Sequence, residues 1–128
     1  MQIFGHKWIE SKKFKKVFSQ DAIKKTSTDD IVILEPLTDS IKLAQYCQKN
    51  NIPFAITISS TKEALFANAL HASFVVCQME DASMIQAIAQ DYLFDTKVIA
   101  LINDEKEIEK MAQLSIDGVI FHEAISLD

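Results

Sequence analysis

The chain has 128 residues, of which 48% are hydrophobic and 24% charged, and its formal net charge is −5. These proportions exclude a disordered or fibrous chain, and the length allows one hydrophobic core without disulfides or a metal. The chain contains no arginine, the residue that makes bidentate hydrogen bonds to guanine edges and phosphates. This absence argues against sequence-specific binding of nucleic acid. We predict one domain over residues 1–128.

The first thirty residues are basic. Residues 1–25 contain seven lysines and two acids, whereas residues 26–128 contain six lysines and sixteen acids. Phe14, Val17 and Phe18 could lie on an amphipathic helix, or residues 14–18 could form a short extra strand. We expect residues 1–30 to form an edge element with a solvated basic face. The alternative is non-specific contact with a nucleic-acid backbone, which would be strongly salt-dependent.

From residue 31 onward, five short apolar runs start 20 to 24 residues apart. They are rich in β-branched residues, and most do not alternate with polar ones. Such runs are typical of parallel strands buried on both faces, and each interval has room for a strand, a helix and two loops. The predicted strands are residues 31–34, 54–58, 74–77, 98–102 and 119–121.

The intervening segments predict helices with identifiable starts. We expect Thr38 or Asp39 to cap the first, a capping box from Ser60 to Glu63 to begin the second, Asp81 to begin the third and Asp104 the fourth. The alternation predicts an α/β fold. Its open parallel sheet of about five strands would have helices on both faces, a flavodoxin-like or Rossmann-like arrangement of three layers.

The sequence also predicts a compartment. The longest uncharged stretch, residues 64–79, has 16 residues, whereas a membrane span needs about 20. The first residues lack the apolar core of a signal peptide. Cys47 and Cys77 lie in apolar patterns far apart and are expected to be buried free thiols. We therefore expect a small soluble cytoplasmic protein with no membrane contact.

Ligands of parallel sheets usually bind beyond the carboxyl ends of the strands. The predicted strand ends there carry five candidate ligand-binding residues, together with Gln78, to which no role is assigned. The five candidates are Glu35, Ser59, Ser60, Asn103 and His122.

Three of these candidates have alternative interpretations. Ser59 and Ser60 begin a helix, where an anion could bind, but capping by Ser60 and Glu63 explains them better. His122 could form an acid–base pair or part of a metal site with Glu35 or Glu123, or be an ordinary surface histidine. The other histidines, His6 and His71, are expected to be structural or solvated.

Motifs for common cofactors are absent. The chain has two glycines, Gly5 and Gly118, and contains neither GxGxxG, GxxxxGK[ST] nor GxSxG. Phosphate-cradling loops need glycine for close backbone approach. The acids and the lysine of a phosphorylated receiver domain are also missing from the strand ends. We therefore predict no cofactor, no resident metal and no catalytic residue.

Residues 51–76 resemble one βαβ repeat of aldolase-type and phosphate-binding (β/α)8 barrels. Residues 115–121 resemble the start of a late strand in those barrels. This chain has His71-Ala72 where those enzymes have Gly-Ala, and it has no counterpart of their Schiff-base lysine or phosphate-loop glycines. The resemblance therefore implies a βαβ unit and no catalytic residue.

Two functions remain. The first is a non-catalytic binding or oligomerisation module, whose partner is a protein or a second copy of the chain. It is favoured by the missing motifs and by the separate basic segment. The alternative is a small-molecule-binding or catalytic domain, with its site at the carboxyl ends of the strands.

Overall fold

The computed structural model describes residues 1–127 as one alternation of strands and helices. In chain order the elements are β1 (Gln2–Phe4), β2 (Lys13–Lys16), α1 (Gln20–Lys24), β3 (Asp30–Leu34), α2 (Ile41–Lys49), β4 (Phe54–Thr57), α3 (Thr61–Ala69), β5 (Phe74–Gln78), α4 (Met79–Asp91), β6 (Lys97–Ile102), α5 (Lys106–Gln113), β7 (Gly118–Phe121) and β8 (Ile125–Leu127). Two 3-10 turns, Leu37–Asp39 and His122–Ala124, precede α2 and β8.

All eight strands belong to one parallel sheet, in the order β1-β7-β6-β5-β4-β3-β2-β8. The five predicted strands are confirmed as β3 to β7. The expected number, about five, was too low because β1 and β8 were missed and β2 was left open between a helix and a short strand. These three are only three or four residues long, and none contains an uninterrupted apolar run. Residues 51–76, which resemble a barrel repeat, contain β4, α3 and the start of β5.

Residues 1–30 were expected to form an edge element, but only part of this segment lies at an edge of the sheet. Strand β1 lies at one end of the sheet, but β2 lies inside it, hydrogen-bonded between β3 and β8. The other end of the sheet is β8. Phe14 of β2 is completely buried. The other three residues of β2 are lysines, so the strand does not show the apolar pattern of a core strand.

All helices pack against the same face of the sheet. The buried apolar residues of the five α-helices belong to one core cluster, which also contains strand residues such as Val32, Ile56 and Val98. The opposite face forms a second cluster without any α-helical residue: Phe4, Phe14, Ile31, Ile33, Ala55, Val76, Ile99, Ile120 and Ala124. We call this set the inner cluster. The prediction of helices on both faces was therefore wrong.

Curvature of the sheet covers the inner cluster in place of a second helical layer. Five strands lie between β1 and β2 in the sheet. At a spacing of about 4.8 Å, a flat sheet would place these two strands about 29 Å apart. Instead, the ring centroids of Phe4 and Phe14 are 5.0 Å apart, and Phe74 of β5 lies 5.6 and 5.7 Å from them. The sheet thus curls around its own apolar face but stays open between β1 and β8.

Three helices begin at other residues than expected, among them α5, which begins at Lys106 with Glu105 rather than Asp104 as its N-cap. Helix α2 follows a 3-10 turn and begins at Ile41, so neither Thr38 nor Asp39 is its cap. Helix α4 begins at Met79, directly after β5, and Asp81 lies within its first turn. Acidic side chains are favourable throughout the first turn because of the helix dipole, so an acid there does not identify the cap.

Asp117, just before β7, connects this strand to β6 and α4. Its Oδ2 accepts a hydrogen bond from the Val98 backbone N–H at 2.9 Å. Its own N–H donates to Oε1 of Gln86 at 2.9 Å, and Gln86 is buried. Both contacts join elements that are distant in sequence, so Asp117 fixes the start of β7.

We expect Asp117→Ala to lower the free energy of unfolding by about 1–3 kcal/mol, because the buried Val98 N–H loses its acceptor. Asp117→Asn keeps an acceptor oxygen and should cost clearly less. Urea denaturation of both variants measures the difference. Equal losses in the two variants would show that the hydrogen bond to Val98 is not what stabilises this junction.

Within residues 1–127, no helix is both long enough and apolar enough to cross a membrane.

Candidate functional site at the carboxyl ends of the strands

Six successive strands of the sheet place a polar residue at their carboxyl ends. Because side chains alternate along a strand, the residue two positions beyond an inward-facing residue faces the same side. In β2 to β7 the last inward-facing apolar residue is followed, two residues on, by a polar residue. We call these six residues the polar ring: Lys16, Glu35, Thr57, Gln78, Asn103 and His122.

A pocket of about 450 Å³ opens at this end of the sheet. This volume lies within the range of small-molecule sites, about 300–1,000 Å³. Every ring residue except Asn103 lines it, as do Ser126 and an apolar group: Ile33, Ile58, Val76, Cys77, Leu101, Ile125 and Leu127. The hydroxyl of Ser126 is buried and has no hydrogen-bond partner among the described residues.

Lys16 and Glu35 form an ion pair at the pocket. Lys16 Nζ lies 2.9 Å from Glu35 Oε1, and the two side chains come from the adjacent strands β2 and β3. They remain 37% and 32% exposed. Ion pairs that are this accessible to water contribute roughly 0.2–1 kcal/mol. Both charges therefore lie at the pocket, and the interaction between them is weak.

His122 is held by Asn103, its neighbour from the adjacent strand end. His122 Nε2 lies 2.8 Å from Asn103 Oδ1. An amide oxygen only accepts, so in this orientation Nε2 carries the proton and Nδ1 of the neutral ring keeps a free lone pair. The partner of His122 is thus Asn103, rather than Glu35 or Glu123 as the sequence suggested. Glu35 nevertheless lines the same pocket.

Ser59 and Ser60 lie outside the pocket lining and cap α3. Ser60 Oγ accepts from the Glu63 N–H at 3.1 Å. Glu63 Oε1 accepts from the Ser59 N–H at 2.7 Å and from the Ser59 hydroxyl at 3.1 Å. The capping interpretation is confirmed, and the carboxylate occupies the donors that an anion would need.

Sequence reasoning missed three residues of the polar ring. Lys16 was part of the basic segment, Thr57 was inside a predicted strand, and Gln78 had no assigned role. The signal that could have identified them is a polar residue two positions beyond the last inward-facing apolar residue of each strand. To use it, however, one must know which alternate positions of each strand face inward.

A second cleft, of about 610 Å³, lies beside the loop between β1 and β2. Its partly buried histidine, His6, uses both ring nitrogens: Nε2 lies 3.0 Å from Glu105 Oε2, and Nδ1 accepts from the Trp8 N–H at 3.1 Å. His6 therefore holds the loop in place, in keeping with the structural role expected for it. Residues 1–127 contain no group of three or more side chains suited to bind a metal ion.

The two cysteines are free and buried, as predicted. Burial raises the pKa of Cys47 to about 11. Burial, with a contribution from nearby Asp81, raises the pKa of Cys77, which lines the pocket, to about 12. Because only the thiolate is nucleophilic, neither side chain is suited to attack a substrate near neutral pH.

We expect both thiols to react with Ellman's reagent at pH 8 at least about 100-fold more slowly in the native protein than in guanidinium. A pKa raised from 9.0 to about 11 lowers the thiolate fraction by about that factor, and burial slows access further. The unfolded protein should release two equivalents of chromophore. Fast labelling of one thiol in the native state would contradict the burial described for these side chains.

No family model matches the chain, and no curated protein matches it either. The function is therefore argued from the pocket and its lining.

Proposed function

We propose that this protein binds a small organic molecule in the pocket at the carboxyl ends of its parallel strands. The observation that carries the proposal is the polar ring above an apolar floor, around a cavity of about 450 Å³. Small-molecule sites commonly combine a largely apolar lining with a few convergent polar groups. They also occur preferentially at the carboxyl ends of parallel strands.

The contrast between the two ends of the curled sheet supports this proposal. Further toward the amino ends of β2 and β5, the contacts between Phe14, Phe74 and Phe4 fill the inside. At the carboxyl ends, six successive strands instead have polar residues, which are partly or fully open to solvent. A ligand entering there would meet several hydrogen-bonding groups above an apolar floor.

The hydrogen bond between His122 and Asn103 favours catalysis as an extension of this function. Asn103 orients the imidazole, and the Nδ1 atom of the neutral ring is free to accept a proton from a bound molecule. His122 is then the general base of the site, and Asn103 is a positioning residue. Binding comes first in this proposal, and proton transfer would follow from it.

A binding or oligomerisation module remains the second candidate. It is favoured by two aromatic side chains near the amino terminus, Trp8 and Phe18, which are 80% and 62% exposed. Light scattering of the wild type and of Trp8→Ser tests it. A dimer that dissociates in the variant would support this candidate, and a monomer in both proteins up to high concentration would count against self-association.

A thermal-shift screen against metabolites tests the proposed site. A ligand at 100 times its Kd adds about 2.7 kcal/mol, which raises the Tm of a domain of this size by several degrees. The shift should disappear in His122→Ala and Gln78→Ala. It should persist in Lys42→Ala, a control on the exposed side of α2. A shift that survives both pocket variants, or no shift with any compound, would refute the proposal.

A further inference from the structure

We propose that the ligand of this pocket is a small zwitterion of the α-amino-acid type with an apolar side chain. Lys16 would bind its carboxylate, Glu35 its ammonium group, and the apolar floor its side chain. The inference rests on the proposed function, since it names the class of molecule that the same pocket would accept.

The charges of the pocket favour a zwitterion. Among residues 1–127, Lys16 and Glu35 are the only lysine and the only acid in the lining, so together they add no net charge. A ligand with a single negative charge would be attracted by Lys16 but repelled by Glu35, whose carboxylate is 2.9 Å away from the ammonium group. A ligand with a single positive charge meets the reverse problem. A zwitterion with separated charges gains from both side chains.

The ion pair can be opened at little cost. Both side chains remain about one third exposed to water, and such pairs are weak. Binding of a zwitterion exchanges one such pair for two charge-assisted contacts inside a partly enclosed pocket, where charged hydrogen bonds are stronger. Neither charge is left unpaired in the complex, which avoids the penalty of a desolvated lone charge.

The floor of the pocket determines the side chain of the ligand. Ile33, Val76, Leu101 and Ile125 supply apolar surface beneath the two charges. A sugar would leave its hydroxyl groups facing this surface without partners, which is unfavourable. A phosphate ester would bring up to two negative charges close to Glu35. An aliphatic or aromatic amino acid satisfies both the charged and the apolar parts of the lining.

Calorimetric titration with matched compounds tests the inference. The first set is L-phenylalanine, 2-phenylethylamine, which lacks the carboxylate, and 3-phenylpropanoate, which lacks the amine. The second is L-leucine, 3-methylbutylamine and 4-methylpentanoate, so that size alone does not decide the result. In at least one set, we expect the amino acid to bind about tenfold or more tightly than either analogue, which corresponds to about 1.4 kcal/mol.

Two variants extend the test. Lys16→Met should reduce amino-acid affinity to about that of the amine, and Glu35→Gln should reduce it to about that of the acid. Lys42→Met, which lies outside the pocket lining, should change neither affinity. Both Lys16 and Glu35 are partly exposed, so their removal should leave the fold intact, and circular dichroism checks this.

The outcomes distinguish this inference from the proposed function. If an amine, an acid or a neutral metabolite from the screen binds in the pocket as tightly as the amino acids or more so, the zwitterion is wrong but the site remains. If affinity for amino acids is unchanged in Lys16→Met and Glu35→Gln, the inference is also overturned. If no compound of any class binds at the pocket, the inference and the proposed function both fail.

Discussion

Phe14→Ala is expected to lower the free energy of unfolding by about 3–5 kcal/mol. Phe14 is fully buried on the inner side of β2, and its ring contacts those of Phe4 and Phe74. Its removal would leave a cavity where three strands meet inside the curl. Chemical denaturation followed by circular dichroism measures the loss.

Phe18→Ala is the matched control for this prediction. Phe18 lies four residues further along the same segment but is 62% exposed, so its removal should change stability by less than about 0.5 kcal/mol. A similar small loss in Phe14→Ala would mean that the inner cluster does not hold the sheet in its curled shape. The contrast between the two variants therefore tests the closure of the fold.

Gly118→Ala is expected to lower the free energy of unfolding by about 1–3 kcal/mol, the usual cost of overpacking. An added Cβ would lie 2.8 Å from the Gln2 carbonyl oxygen and 2.7 Å from Ile99 Cδ1. The isoleucine can rotate, but the carbonyl belongs to the backbone of β1, which pairs with β7 at this position. Strand β1 must therefore shift, and its amides should lose protection from hydrogen exchange.

A double variant separates the two contacts of the added methyl group. Ile99→Val removes Cδ1 and by itself should cost about 0.5–1.5 kcal/mol. Combined with Gly118→Ala, it should cost less than the sum of the single changes, because the side-chain clash is gone. Strict additivity, with full protection of the β1 amides, would contradict the close approach of β1 and β7 at Gly118.

The central sheet could be predicted from the sequence because its strands are continuous apolar runs. Strands β1 and β8 could not be predicted because they have three residues each, and β2, with three lysines among its four residues, could not be distinguished from a helix. Continuous apolar strands show that both faces are buried but not what covers them. Helices on the second face were therefore inferred, where the sheet in fact covers itself by curling.

The candidate site depends on this curl. Four strands lie between β2 and β7 in the sheet. In a flat sheet, the ends of β2 and β7 would lie about 24 Å apart. In the curled sheet, Lys16 and His122 from these two strands line one pocket. Glu35 and His122 were predictable as strand-end residues, whereas Lys16 and Thr57 required the inward positions of each strand to be known.

Two-dimensional NMR, which maps the amide shifts caused by the compounds that raise the Tm, shows where on the protein these compounds bind. If the pocket is the binding site, the largest shifts should occur at Thr57, Gln78 and His122, and Lys42 on the exposed side of α2 should not respond. Shifts centred on α2 or on the loop around Trp8, with none at the carboxyl ends of the strands, would show that the compounds bind elsewhere and would refute the proposed site.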